Sequence, residues 1–277
     1  MSLPLLVHSK LFWFYKGEKL CCWYLLWGDG VTVQMQNAYI DDMDRFGIDT
    51  AVLNLCNEKC SSPFIGQFMR SGLDGRKVNM GVGFILRLKA RGKNIVIVDL
   101  DCPPEDEPKY PYWKYPDRIP DFIEVFTSAL APVVDGFCPG IETDRGPLSV
   151  AVLDDFIVHM QKFAFRMING VKILLPIITH EQNVGWRYDE NKGKDVPFLR
   201  RAVPIHANIA GLETSNHPHN GNGVPAATMV AEAECLYDSS GKKVWVMESN
   251  SEEGGIAKDQ NNNLAKARGV IGVSGPM

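Results

Sequence analysis

The chain has 277 residues, a formal net charge of −4 and a pI of about 5.9, with 45% hydrophobic and 22% charged residues. This length suits a globular domain with a sizeable core, and an acidic chain without a basic stripe argues against a nucleic-acid partner. The seven cysteines follow no disulfide-framework or zinc spacing, so we expect reduced, mostly buried thiols and a reducing compartment.

No segment reaches the ~18 consecutive apolar residues that a membrane-spanning helix needs. The N-terminus, MSLPLLVHSK, has neither a basic start nor a long apolar run. We therefore expect a soluble chain without a cleavable export signal and without a membrane partner.

A β-rich run, then acidic or turn residues, then a helical segment recurs along the chain, which predicts parallel strands joined by helices. In chain order the predicted elements are strand Leu20–Trp27, helix Gln36–Phe46, strand Thr50–Leu55, helix Val78–Ala90, strand Ile95–Leu100, helix Pro120–Val134, strand Gly136–Ile141, helix Leu148–Ile168, strand Lys172–Ile178, helix Val196–Ala207, strand Ala210–Leu212, helix Ala226–Tyr237, strand Lys243–Met247, helix Ile256–Ala267 and strand Val270–Val273.

Eight apolar strands with seven intervening helices predict an α/β protein, a (β/α)₈ TIM barrel that spans residues 1–277 as a single domain. Lys10–Tyr15 is an extra strand-like segment that we expect either to pair with the first strand or to cover the bottom of the barrel. We expect no last helix after the eighth strand. A doubly wound open sheet is the alternative, but the first turn, WGDGVT, lacks the G-x-G-x-x-G spacing.

Acidic and polar residues recur where the predicted strands end, which is the face of a barrel that carries catalysis. They are Asp99, Asp101, Glu142, Asp144, His180, Glu181, Glu213, Asn216, His217 and Glu248. A ring of carboxylates either binds a divalent metal or performs acid–base chemistry on a neutral polar substrate.

Glycoside hydrolysis uses two carboxyl groups, one protonated and one ionised, and repulsion between crowded acids raises one pKa enough to supply the proton. The fourth and seventh strands face each other across a barrel mouth. Glu142 and Glu248 are therefore the predicted catalytic pair, and Glu142 with Glu213 is the alternative. Aromatic residues at the same face, Trp27, Trp113 and Trp186, are predicted to pack against the flat face of a sugar.

The layout resembles the (β/α)₈ glycoside hydrolases of clan A. Glu142 in PGIETD matches the position of their acid/base at the end of strand four, and Glu248 in VWVMESN matches that of their nucleophile at the end of strand seven. The opening CWYLLWGDG, followed by a helix and FGIDTAVLNL, is similar to barrel glycosidases as well. The resemblance implies cleavage of a polysaccharide or glycoconjugate, with net retention and without a cofactor.

Two other functions remain open from the sequence. A metal-dependent hydrolase could use the same acids with His180 and His217, although the His-x-His on strand one that such barrels usually carry is absent from Leu20–Trp27. A barrel that binds carbohydrate without turning it over is the third hypothesis. We predict no metal, and the oligomeric state is not predicted.

Overall fold

The computed structural model describes residues 21–26, 33–45, 49–54, 82–98, 117, 119–140, 148–213, 226–248 and 273–274. The strands are β1 (Cys21–Leu26), β2 (Thr50–Asn54), β3 (Asn94–Val98), β4 (Gly136–Cys138), β5 (Phe165–Ile168), β6 (Val171–Leu174), β7 (Val184–Asp189), β8 (Lys194–Leu199), β9 (Ile209–Glu213), β10 (Lys243–Glu248) and β11 (Val273–Ser274). The helices are α1 (Val33–Arg45), α2 (Val82–Ala90), α3 (Ile119–Leu130), α4 (Val150–Gln161) and α5 (Ala226–Ser240).

The central strands are all parallel. One sheet has the order β11-β1-β2-β3-β4, and β9 pairs with β10 in a second. Single parallel bridges join them through residues 177–181: Phe137 of β4 pairs with Ile177, and Ile178 pairs with Ile209 of β9. At the other end of this series, β10 contacts both β11 and β1. The strands therefore follow one another in the circular order of the predicted barrel.

Apolar periodicity explains how the helices cover these strands. In α3 the buried residues Ile119, Phe122, Ile123, Phe126 and Leu130 recur at intervals of three and four, so one stripe faces the core. Residues 51–53 of β2 are completely buried, as expected for a parallel strand covered on both faces.

The predicted helix Leu148–Ile168 is too long. It begins behind an N-cap, where the Ser149 hydroxyl accepts a hydrogen bond from the Val152 amide at 3.2 Å, and it ends at Gln161. The remainder forms the antiparallel hairpin β5–β6, turned by Asn169 and Gly170 with φ of 50° and 77°. Two left-handed residues suit the tight turn that right-twisted strands require. The predicted strand Lys172–Ile178 is thereby divided, because its first residues belong to this hairpin.

The predicted helix Val196–Ala207 is wrong. Its first part is the strand β8, which pairs with β7 in a second antiparallel hairpin. The turn of this hairpin is held by Asp189, whose carboxylate accepts the amides of Asn191 and Lys192 at 3.0 and 3.3 Å. The β7–β8 hairpin packs against α5 and occupies the place of the expected helix.

The other predicted elements within the described ranges occur close to their expected positions, and the last strand lies beside the first. Lys10–Tyr15 and the helix Ile256–Ala267 lie outside the described residues. His159 lies in a helix as predicted, but His206 does not, because residues 205–206 form a turn.

This turn is fixed by a side chain of α4 and by Lys242, which follows α5. The Asp154 carboxylate of α4 accepts the backbone amide of His206 at 2.8 Å and lies 2.7 Å from its Nδ1. The Lys242 ammonium, just after α5, donates to the carbonyls of Ile205 and Ala207 at 2.7 and 2.8 Å. Burial opposes ionisation of Asp154, but the hydrogen bonds and positive charge of His206 outweigh it and lower the pKa.

We expect Asp154→Asn to destabilise the protein by about 1–2 kcal/mol at neutral pH, since it weakens a charge-assisted hydrogen bond. A carboxyl whose pKa is depressed in the folded state stabilises the fold above its unfolded-state pKa, and this contribution is lost as the pH falls through the folded value. Urea unfolding at pH 7 and pH 3 measures both effects. Asp155→Asn, at the exposed neighbouring position, is the control, and equal losses in the two variants would contradict the prediction.

Candidate active site

Polar side chains cluster where the strands of the second half of the barrel end. His180, Glu181, Gln182 and Asn183 follow the bridging residues 177–178 and are all buried. Their backbone continues alongside β9, because the Glu213 amide donates to the Glu181 carbonyl at 3.1 Å. Strand pairing therefore brings four consecutive polar residues to the carboxyl end of β9.

A bulge in β10 sets the position of Glu248. The pairing with β9 runs regularly from Lys243 to Val246, where Val246 is level with Leu212, and then shifts so that Glu248 is level with Glu213. With unbroken register Met247 would stand in that place. The extra residue thus puts two glutamate positions side by side on neighbouring strands, and bulges commonly re-aim residues beside active sites.

Glu213 is held firmly in this position. Its carboxyl group is only 4% exposed, and Oε1 accepts a hydrogen bond from the Gln182 amide at 2.7 Å. A buried carboxyl group needs such donors to offset the loss of water. We call residues 180–183, Glu213 and Glu248, at the carboxyl ends of the strands, the rim. Gln182, in the segment that pairs with β9, therefore fixes one carboxyl group of the rim.

Glu181 has a different partner. Arg201, just after β8, lies 3.4 Å from its carboxylate and donates to the Leu148 carbonyl at 3.0 Å. The Arg201 carbonyl in turn accepts from the Asn183 side chain at 3.0 Å. These contacts tie the end of the β7–β8 hairpin to the rim and neutralise Glu181, so this residue is suited to holding the site together.

A further acid, Glu232, lies on α5. It is 2% exposed, and its Oε1 accepts the indole N–H of Trp186 at 2.6 Å. Burial raises its pKa to about 7; the Trp186 hydrogen bond works against this rise, and the negative charge of Glu213 adds to it. Below neutral pH, Glu232 is therefore a neutral acid inside the protein.

We expect the stability of the protein to fall between pH 4.5 and 7 because of this residue. Its ordinary pKa is 4.5 and its folded value is about 7, so the folded state binds the proton more tightly over that window. Stabilisation is complete below the unfolded pKa and is lost as the pH rises, by about 3 kcal/mol in all. Glu232→Gln should therefore gain that much stability relative to the wild type between those two pH values.

Urea unfolding of both proteins across this range gives the difference curve. Glu234→Gln, at an exposed position on the same helix, controls for removal of a charge from α5. A difference between wild type and Glu232→Gln that does not change with pH would contradict the assignment.

The structure brings together some of the predicted site residues. His180, Glu181 and Glu213 lie at one rim, and the backbone of Glu248 lies beside that of Glu213. Trp186 lies on the β7–β8 hairpin with its indole directed at Glu232. The others lie outside the described residues: Trp27, Asp99, Asp101, Trp113, Glu142, Asp144, Asn216 and His217.

Gln182, Arg201 and Glu232 were not predicted. Gln182 directly follows His180 and Glu181 after an apolar strand, so its place at a strand end can be recognised from the sequence. Glu232 shares a helix stripe with Thr228 and Leu236 at four-residue spacing, and an acid in an apolar stripe is unusual enough to notice. Arg201 had no local signal, since its role depends on the hairpin.

Within the described ranges, no three or more His, Cys, Asp or Glu side chains are grouped as metal ligands. In the same part of the chain no helix combines the length and apolar character needed to cross a membrane.

Parallel strands that follow one another in barrel order define the class of fold as a (β/α)₈ barrel. No protein-family model matches the chain, and no curated protein matches it. Several solved structures are similar to the chain in fold.

One is GH5_18 from Streptomyces cattleya in complex with GlcNAc, with a TM-score of 0.62 and 15% identity over 93% of this chain and 70% of that one. Another is the endo-1,4-beta-mannanase from Rhizomucor miehei, with a TM-score of 0.59 and 10% identity over 95% and 85% of the two chains. The beta-1,4-D-mannanase from Cryptopygus antarcticus has a TM-score of 0.60 and 11% identity over the same shares. The chain thus has the (β/α)₈ fold of these enzymes, and the predicted resemblance to barrel glycoside hydrolases is confirmed at the level of the fold.

Proposed function

We propose that the protein is a glycoside hydrolase that cleaves a polysaccharide or glycoconjugate with retention of configuration. Glu248 is the nucleophile that forms the covalent glycosyl intermediate, and Glu142 is the acid that protonates the leaving oxygen and then, as base, activates water. The substrate carbohydrate binds at the carboxyl ends of the strands, and the reaction needs no cofactor.

The observation that carries this proposal is the register of β9 and β10. The bulge before Glu248 levels it with Glu213 at the carboxyl end of two parallel strands, where barrel enzymes keep their catalytic groups. β4, which the sequence continues toward Glu142, is bridged to residue 177 and runs in the same direction as β9. The fold shared with glycoside hydrolases supports the same interpretation.

The rest of the rim has supporting roles in the proposal. Some residues of the rim bind sugar hydroxyls or hold the residues that do: Glu213, His180 and Glu181. Further substrate-binding residues are proposed on the neighbouring loops: Asp99, Asp101, Asp144, Asn216 and His217. Trp27 and Trp113 are proposed to pack against sugar rings. The indole N–H of Trp186 is bound to Glu232, and the accessible face of its ring is proposed to pack against a sugar as well. The ring of strands is proposed to close between β10 and β11.

Hydrolysis of a small substrate panel tests the proposal. Since several structural neighbours are named β-1,4-mannanases and one is bound to GlcNAc, the panel contains β-1,4-mannan, a soluble β-1,4-glucan and a GlcNAc-bearing glycoconjugate. We expect new reducing ends from at least one of them. Tight binding of one glycan with no release of reducing ends would favour a carbohydrate-binding barrel, and loss of hydrolysis on chelation with recovery on metal addition would favour a metal-dependent hydrolase.

A further inference from the structure

Two buried carboxyl groups interact near the end of β9. Glu213 ends β9 and is bound by Gln182, while Glu232 lies on α5 and is bound by Trp186 of the β7–β8 hairpin. Both are at most 4% exposed, and the negative charge of Glu213 acts on Glu232. Glu232 is thus a second buried acid that interacts with the rim and does not belong to the predicted catalytic pair.

The hydrogen bonding of Glu232 suits a protonated side chain. Its Oε1 accepts one donor, and its Oε2 is buried without a hydrogen-bond partner among the described residues. One indole donor is little compensation for a fully buried carboxylate, whereas a neutral acid can be buried at a much lower cost. Ionisation would also bring two negative charges together inside the protein, since Glu213 is the neighbouring acid.

The groups around Glu232 come from three elements. The hairpin contributes the Trp186 indole, β9 contributes the Glu213 carboxyl, and α5 itself contributes the Cys235 thiol, whose pKa is raised first by burial and, among smaller causes, by Glu232. Among the described residues, no lysine, arginine or histidine contributes to the shift in the pKa of Glu232. A negative charge there would therefore have no compensating cation among the described residues.

We propose that Glu232 is a positioning residue whose proton keeps the β7–β8 hairpin seated on α5 and Glu213 in place beside Glu248. This inference rests on the proposed function for its effect on catalysis. Loss of the proton displaces Glu213 or the hairpin and weakens sugar binding at the rim, so KM rises while kcat changes less. The proton acts through Trp186 and Glu213 and takes no part in bond cleavage.

The test compares wild type, Glu232→Gln and Glu234→Gln by pH titration from 5 to 9. Nitrogen-15 NMR follows the Trp186 indole N–H, assigned with Trp186→Phe, and the Gln182 side-chain amide that binds Glu213. In wild type and in Glu234→Gln we expect both signals to shift together with a midpoint near pH 7, and in Glu232→Gln neither shifts there. With a substrate cleaved by the protein, KM should rise about tenfold per pH unit above the midpoint in wild type and in Glu234→Gln, and this rise should be absent from Glu232→Gln. The fall in kcat that follows loss of the Glu142 proton should be the same in all three proteins.

The two proposals fail separately. An inactive protein in which both NMR signals still titrate with Glu232 removes the glycosidase proposal and keeps the coupling. An active protein in which Glu232→Gln shows the same rise in KM above the midpoint, or in which the Gln182 amide signal does not change with pH, overturns the positioning role and keeps the glycosidase proposal. Because glutamine has the shape of a neutral glutamic acid and can accept the indole N–H, this variant is expected to fold.

Discussion

Glu248→Gln is expected to abolish hydrolysis of every substrate that the wild type cleaves. Glutamine has nearly the same shape but cannot form the glycosyl intermediate, so both the first and the second step are lost. We expect kcat to fall at least about 10⁴-fold, since loss of a catalytic nucleophile can cost about 10⁶-fold. Initial rates on the best substrate of the panel, measured at matched protein concentration, give the ratio.

Glu142→Gln should show a different pattern. Protonation of the leaving oxygen matters for a sugar alkoxide and little for a nitrophenolate, which leaves without a proton. The variant should therefore lose about 10²–10⁴-fold on the polysaccharide but much less in the first step with a nitrophenyl glycoside. Glu248→Gln should lose activity on the polysaccharide and on the nitrophenyl glycoside to the same extent.

Glu124→Gln, on the exposed side of α3, is the matched control and should retain wild-type rates. If Glu213→Gln gives the Glu248 pattern while Glu248→Gln remains active, the catalytic pair is Glu142 and Glu213. Full activity in both Glu142→Gln and Glu248→Gln would remove the two-carboxylate mechanism assigned to them.

The second large effect is on stability and concerns the opposite end of the strands. Asp135 precedes β4, is 3% exposed, and lies 2.6 Å from the Lys89 ammonium and 3.2 Å from the Arg166 guanidinium. Its Oδ2 also accepts the Ile95 amide at 3.0 Å. One carboxylate therefore joins α2, β3, β4 and the β5–β6 hairpin.

Asp135→Ala is expected to destabilise the protein by about 3–5 kcal/mol, because it leaves a mostly buried arginine without its carboxylate and a strand amide without its acceptor. Asp135→Asn retains an acceptor for the amide and should lose less. The midpoint of urea unfolding measures the change, provided that the slope of the transition is unaltered.

Asp41→Asn removes one partner of an exposed ion pair, in which Asp41 is 71% exposed and lies 3.4 Å from Arg91. This control should change stability by less than about 1 kcal/mol. Equal losses for the buried and the exposed aspartate would show that Asp135 does not hold these elements together.

The sequence predicted the parallel strands well because each is a continuous apolar run ended by acids or turn residues. It also contained signals for both hairpins that were not recognised. Asn169-Gly170 between apolar runs is a strong hairpin signal, and Pro197 and Pro204 stand inside the segment that was predicted to be a helix. In both segments apolar residues also recur at helical spacing, so the apolar pattern and the turn or helix-breaking residues indicate different structures.

The site was only partly predictable for a physical reason. A strand-end acid such as Glu213 can be recognised from its position after an apolar run. The bulge that levels Glu248 with it depends on pairing between two strands and leaves no mark in VWVMES. Likewise, the burial of Glu232 follows from the hairpin that covers α5, so its altered pKa could not be inferred before that hairpin was known.

The most direct test of the central claim is to trap the glycosyl intermediate. Incubation with activated 2-deoxy-2-fluoro glycosides of the gluco and manno series, followed by peptide mass spectrometry, identifies the residue that attacks the sugar. We predict one covalent sugar on the peptide that contains Glu248 and none on the Glu248→Gln variant. A label on Glu213, or active enzyme that hydrolyses the parent glycoside with inversion and takes no label, would contradict the assignment of Glu248 as the nucleophile.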